Sequence, residues 1–133
     1  MIQFFEAADE DNCRPLPGSR TFTVAGVLLC AALYRKALFD ELGGFCNDMR
    51  FGEDIDLFLR MIEARVPVHV EDEIATLYRR HAGNMTNDLV MTRRGFADAI
   101  RRSVARRRVT GATVDLGSFF QARNKGEHRF QHG

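Results

Sequence analysis

A chain of 133 residues and 15.1 kDa, 45% hydrophobic and 28% charged, has the composition of one folded domain, which excludes a disordered tail or a collagen-like rod. Nineteen Lys and Arg against 18 Asp and Glu leave a net charge of +1, so any nucleic-acid or membrane partner must be recognised by a local patch. Cys13, Cys30 and Cys46 are odd in number and contain no Cys-x-x-Cys, which argues against a disulfide framework or a zinc knuckle and fits a reducing cytosol.

The first twenty residues read as a short apolar start followed by an acidic loop carrying Glu6, Asp9, Glu10 and Asp11, then Pro15, Pro17 and Gly18. Thr21 to Leu33 is uncharged and rich in Thr, Val, Leu and Ala, which predicts a buried strand running on toward a helix. Its most apolar part, Val24 to Leu33, is too short to span a bilayer, and the acidic start does not resemble a secretion signal. The expectation is a cytoplasmic protein that can still sit peripherally against a membrane. Arg35 to Leu42 predicts a short helix with Leu38, Phe39 and Leu42 on one face, stopped by Gly43 and Gly44.

Glu53 to Arg65 carries the strongest helical signal, because Ile55, Phe58, Leu59 and Ile62 recur at i, i+3, i+4 and i+7. Glu53, Asp56, Arg60 and Glu63 form the polar stripe, and Asp56 with Arg60 reads as an i, i+4 surface pair. Asp54 falls off that stripe, between the directions of Phe58 and Met61. Val68 to Val70 predicts a short alternating strand, and Ile74 to Arg80 a second one ending in Tyr78, Arg79, Arg80 and His81.

Thr86 and Asn87 predict the cap of a third helix running to about Arg108, with Leu89, Phe96, Ile100 and Val104 inward and Gly95 as a weak point. Between Gly83 and Val109 lie seven arginines (93, 94, 101, 102, 106, 107 and 108) against Asp88 and Asp98, a local balance of +5. The default for such a helix is a solvated basic face. Attachment to anionic lipid or a phosphate-bearing substrate comes next, and nucleic acid last, because Arg94, Arg101 and Arg108 share a side with no interleaved aromatics for base stacking. Cys30 and Cys46 are expected in the core, as are the phenylalanines at 4, 5, 22, 39, 45, 58 and 96. Residues 110–122 predict a further strand and short helix. The domain is expected to cover 1–123, with 124–133 a frayed tail.

Four separated elements carry a resemblance. Gly43-Gly44-Phe45 is followed by Glu53-Asp54 opening a helix, then by Arg60, then by Tyr78-Arg79-Arg80-His81 with Asn84 and Thr86. In that order and spacing, over roughly 26–86, the sequence resembles the C-terminal, acceptor-side half of a family-two glycosyltransferase of the GT-A fold. The resemblance implies an α/β chain in an α+β arrangement, a partial GT-A-like fold. Its chemistry would be transfer of a sugar from a nucleotide-sugar donor to a hydroxyl acceptor with inversion.

By the same resemblance, Asp54 takes the position of the general base, with Glu53 orienting the acceptor or the loop. Arg79 or Arg80 would neutralise leaving-group charge, and His81 would contribute to a divalent cation, Mn or Mg, at the diphosphate. A helix N-terminus favours a carboxylate while apolar neighbours raise its basicity, which suits a base. Acidic residues in a first helical turn also have a purely structural use, meeting the dipole and the unpaired N–H groups, and a lone strand-end histidine commonly makes one hydrogen bond.

The family's nucleotide-gripping βαβ half and its Asp-x-Asp motif have no counterpart here, since Asp9-Glu10-Asp11 follows no βαβ strand and Asp54-x-Asp56 belongs to the helix. The expectation is therefore either an enzyme whose donor site is completed by a missing N-terminal half or by a second copy, or a non-catalytic binding module that has lost it. A half-sheet with an open edge further predicts a homo-oligomer.

Overall fold

The computed structural model describes residues 1–24, 28–69, 71 and 73–113. The sequence expectations for 114–133, including the strand and helix over 110–122 beyond residue 113 and the frayed tail, lie outside the described residues. The architecture is mixed α and β: a small mixed sheet and three α-helices in an α+β arrangement.

The sheet is built on β1 (Ile2–Phe5), which pairs antiparallel with β4 (Thr21–Val24) and parallel with β5 (Thr76–Arg79), giving the order β4-β1-β5. Phe4 sits opposite both Phe22 and Tyr78, so three aromatic rings line one face. Phe4 and Phe22 stack with centroids 4.8 Å apart, and Phe4 and Tyr78 meet at 5.1 Å. Between β1 and β4 the chain makes a two-stranded ribbon, β2 (Ala8–Asp9) with β3 (Arg14–Pro15). Its turn is held by Asp9 Oδ1, which accepts from the backbone N–H groups of Asp11 (3.1 Å) and Asn12 (3.2 Å). The acidic loop foreseen in the sequence is this turn.

The helix α1 (Lys36–Leu42) ends as foreseen on Gly43, whose φ of 83° is the left-handed cap that a Cβ would strain. The N–H groups of Gly43 and Gly44 both donate to the Phe39 carbonyl, at 2.9 and 3.0 Å. The helix α2 (Glu53–Glu63) starts after Gly52, also left-handed at φ 78°. The helix α3 (Leu89–Thr110) is capped by Asp88, whose Oδ1 accepts from Met91 N–H at 3.0 Å. Thr86 and Asn87, expected to cap it, instead lie in a 3-10 turn over Met85–Asn87.

The buried hydrophobic residues among those described are Ile2, Phe5, Leu57, Leu59, Met61 and Ala99, with Gly95, Asp56 and Ser103 buried beside them. The chief helix contact is α2 against α3. It is a close one: a Cβ on Gly95 would come within 2.4 Å of the Phe51 carbonyl oxygen, and one on Gly52 within 2.6 Å of the Gly95 backbone. Gly95, which the sequence marks as a weak point of α3, is where two backbones touch.

Several expectations are corrected by this packing. The face of α3 turned to α2 carries Gly95, Ala99 and Ser103, so Leu89 and Phe96 face outward and stay exposed while Ile100 and Val104 are half-buried. On α2, Leu57 and Met61 are buried with Leu59, while Ile55, Phe58 and Ile62 are half-buried. Among the described residues of the 21–33 run only Thr21–Val24 is strand, half-exposed at the sheet edge, and Leu33 is fully exposed. Val68 and His69 form no strand. Cys30 is exposed and Cys46 half-buried, rather than core, and Phe22 and Phe45 keep a substantial part of their surface in water. On α3 it is a contact of small residues, invisible to hydropathy, that decides what is covered.

Candidate functional site

Two groups of the residues singled out in the sequence are placed on two separate elements. Glu53 and Asp54 open α2, half-buried, and Asp54 Oδ1 accepts from the Ile55 N–H at 2.8 Å. The N-terminal carboxylates meet the positive end of the helix dipole there. Arg79, Arg80 and His81 stand at the C-terminal end of β5, all exposed. Among the described residues no hydrogen bond or ion pair joins one group to the other.

Beside Asp54 stands a cluster of rings. Tyr34 meets Phe39 edge-on with centroids 5.7 Å apart and Phe58 at 6.4 Å, and Phe39 meets Phe45 at 5.9 Å. Among the described residues the Tyr34 hydroxyl is buried without a hydrogen-bond partner. Burial pushes its pKa up, and the nearby Cys30 and Asp54 add to this, so the phenol stays protonated next to the carboxylate. Sequence reasoning missed Tyr34, because a tyrosine closing an apolar run reads as packing. A buried donor with nothing to donate to, next to a carboxylate at a helix start, could engage a ligand hydroxyl.

The β5 end is organised by two asparagine amides. Asn84 Oδ1 accepts from His81 N–H at 2.6 Å while its Nδ2 donates to the Tyr78 hydroxyl at 3.2 Å, and Asn87 Nδ2 donates to the carbonyls of His81 (3.0 Å) and Ala82 (2.9 Å). His81 Nδ1 accepts from the Gly83 N–H at 3.1 Å, which fixes the ring and leaves Nε2 outward. Arg79 pairs with Glu10 at 3.1 Å, both largely exposed. Arg80 lies on the wall of an open groove of about 470 Å³ formed with the sheet aromatics Phe4, Phe22 and Tyr78 and with Leu89. Neither Glu53 nor Asp54 lines it.

The best-connected charges are elsewhere. Asp56, only 2% exposed, accepts from Arg60 Nε at 2.9 Å and from Arg106 Nη1 at 2.8 Å. Arg60 also donates to the carbonyls of Leu42 and Gly44, and Arg106 forks onto Glu63 at 2.7 and 3.1 Å. Asp56 and Arg60 are therefore no surface pair; they tie the Gly43-Gly44 turn, α2 and α3 into one unit. Burial works against the Arg106 charge, but Glu63 and Asp56 outweigh it and hold the guanidinium above its usual pKa. Arg102 binds Asp48 at 2.6 Å and Cys46 Sγ at 3.0 Å. That guanidinium, with the Cys46 thiol, takes the Asp48 carboxyl down to about 2, and the bond to Asp48 in turn raises the Cys46 thiol.

As to cations, among the described residues no three His, Cys, Asp or Glu side chains gather into a metal-binding group. Among the described residues no set of carboxylates joins His81 to hold a hard cation, which needs several oxygen ligands. No described helix is long and apolar enough to cross a membrane. Compared with known proteins, the chain matches no family model, no curated protein and no solved structure.

Proposed function

We propose that this chain is an acceptor-side portion of a GT-A-like sugar-transfer fold of the family-two type, with Asp54 as the base. The observation that carries this reading is the half-buried Asp54 at the start of α2, beside the buried, unpartnered Tyr34 hydroxyl. In support, three of the elements behind the sequence resemblance form one physical unit. Arg60 of α2 binds the carbonyls of the Gly43-Gly44 turn, which sets the turn against the helix that Glu53 and Asp54 open.

In the reaction, the acceptor oxygen attacks the anomeric carbon as Asp54 takes its proton, the bond to the nucleoside diphosphate breaks, and the sugar configuration inverts. Tyr34 would hold the acceptor and Glu53 would orient it. Arg80, which among the described residues has no carboxylate partner, is the better placed of the two arginines to meet leaving-group charge. The described residues do not fit a divalent cation at His81, and no step is routed through one. Donor grip would come from outside the described residues. A second copy is one source, since β4 and β5 are the two outer strands of the sheet.

A second reading, a non-catalytic module that binds a hydroxyl-rich ligand, is favoured by the β5 end. There Arg79 is turned to Glu10 and His81 Nδ1 is occupied by a backbone N–H. Thermal unfolding of the full chain with nucleoside diphosphate sugars and manganese separates the two. The transferase reading expects a rise of the midpoint with at least one donor. It also expects Asp54→Asn to keep that rise while lowering sugar transfer by roughly 100-fold or more. A midpoint unmoved by every donor overturns the transferase reading and leaves the module.

A further inference from the structure

We propose that the outward face of α3 docks the protein on an anionic lipid surface. The inference does not rest on the sugar-transfer reading. It starts from the inverted packing of α3. Small residues Gly95, Ala99 and Ser103 are the ones buried, so the large apolar side chains are left outside. Leu89 and Val90 are each 60% exposed and Phe96 is 53% exposed.

At about 100° per residue, Leu89, Phe96, Ile100 and Val104 fall within one narrow sector of the helix, and Val90 with Arg94, Arg101 and Arg108 in the sector next to it. Arg93 and Arg107 fall within the first sector. The second sector is opposite the contact with α2, and the first flanks that contact beside Ser103, which leaves Ile100 and Val104 half-buried and Leu89 and Phe96 exposed. The acid of α3, Asp98, sits at the margin and pairs with Arg101.

The other arginines of this helix are used internally, which sharpens the face. Arg102 goes to Asp48, and Arg106 goes to Asp56 and Glu63. What remains outside is an apolar stripe of Leu89, Val90 and Phe96, interrupted by Arg93 and bordered by Arg94 and Arg108. At its N-terminal end the stripe continues through Leu89 into the groove lined by Phe22 and Leu28. A helix lying in the plane of a membrane interface turns exposed apolar side chains to the acyl chains and cations to the headgroups, and Leu89, Val90 and Phe96 with Arg93, Arg94 and Arg108 offer both.

The charge decides the occupant. A second copy would bring arginine against arginine, and a nucleic acid would find one aromatic ring and no stacking platform on the helix itself. A negatively charged bilayer matches the exposed apolar side chains and their neighbouring cations at once.

The test is co-sedimentation of the full chain with phosphatidylcholine vesicles and with vesicles of equal phosphatidylcholine and phosphatidylserine. Binding is expected only to the second kind, and raised salt should weaken it. Arg94→Gln with Arg108→Gln should weaken it roughly thirty-fold, at about 1 kcal/mol for each cation near the surface. Phe96→Ser should lower it further while circular dichroism stays unchanged, since the ring is already half in water. Three results overturn the proposal: equal binding to both vesicles, binding indifferent to the arginine pair, or binding that Phe96→Ser leaves intact and that heparin competes away fully. The last would assign the face to a soluble polyanion. Donor-induced thermal shifts, measured without lipid, bear on the transferase reading alone.

Discussion

Asp54 and Asp56 stand two residues apart on the first turn of α2, and their surroundings differ in kind. Asp56 is buried and holds two guanidinium groups, one from its own helix and one from α3. Among the described residues Asp54, half-buried, accepts only from the next backbone N–H and stands near a tyrosine whose hydroxyl is unengaged. The first has its hydrogen-bonding capacity consumed by the fold, whereas the second keeps capacity for a ligand. A carboxylate that the fold has already saturated cannot also work as a base, so the contrast assigns structure to one and chemistry to the other.

The largest expected effect breaks that contrast at Asp56. Replacing it by Ala leaves Arg60 and Arg106 partly buried without their shared anion, and a loss of about 3–5 kcal/mol is expected from urea unfolding. Asp54→Asn in the same assay should stay within about 0.5 kcal/mol of the parent. Equal losses at the two positions would show that the assignment is wrong.

Gly95→Ala sharpens the comparison from the other side of the interface. Helix propensity alone favours alanine by about 1 kcal/mol. The added Cβ would meet the Phe51 carbonyl at 2.4 Å, so α2 and α3 must separate, and a net loss of about 1–3 kcal/mol is expected. A gain in stability would mean that the two backbones are not in contact.

The smallest effect is at the exposed Asp48. Its folded pKa, about 2, lies below the ordinary 3.8, so its contribution is present above 3.8 and is lost as pH falls toward 2. Asp48→Asn should flatten the acid side of the stability curve in that window, with a small loss of stability at neutral pH that vanishes as pH falls toward 2.

Local signals made much of this fold legible. Gly43 as a left-handed stop, the 3.6-residue rhythm of 53–63 and the alternation leading to His81 each depend on a few neighbouring residues, and each is found in place. The faces were not legible. Hydropathy turns Leu89 and Phe96 inward, but the interface is set by the closest approach two backbones can make, and only Gly95, Ala99 and Ser103 permit it. The role of Asp56 was hidden for a related reason. Its partner Arg106 lies fifty residues away, whereas the i, i+4 pair with Arg60 was in plain view. Of the candidate site, Glu53, Asp54 and the Tyr78–His81 segment came from motif order, while Tyr34 required knowing that its hydroxyl is enclosed.

The central position of β1 bears on how the protein is made. Its antiparallel neighbour β4 is synthesised soon after it, but Thr76, which faces Ile2 across the parallel side, emerges from the ribosome only after both α1 and α2. Throughout that interval the nascent chain holds a strand with one unsatisfied flank, carrying Phe4 and Phe5. Chaperone capture of the growing polypeptide should therefore end when residue 79 clears the exit tunnel, because the last partner of that flank is then free to add to it.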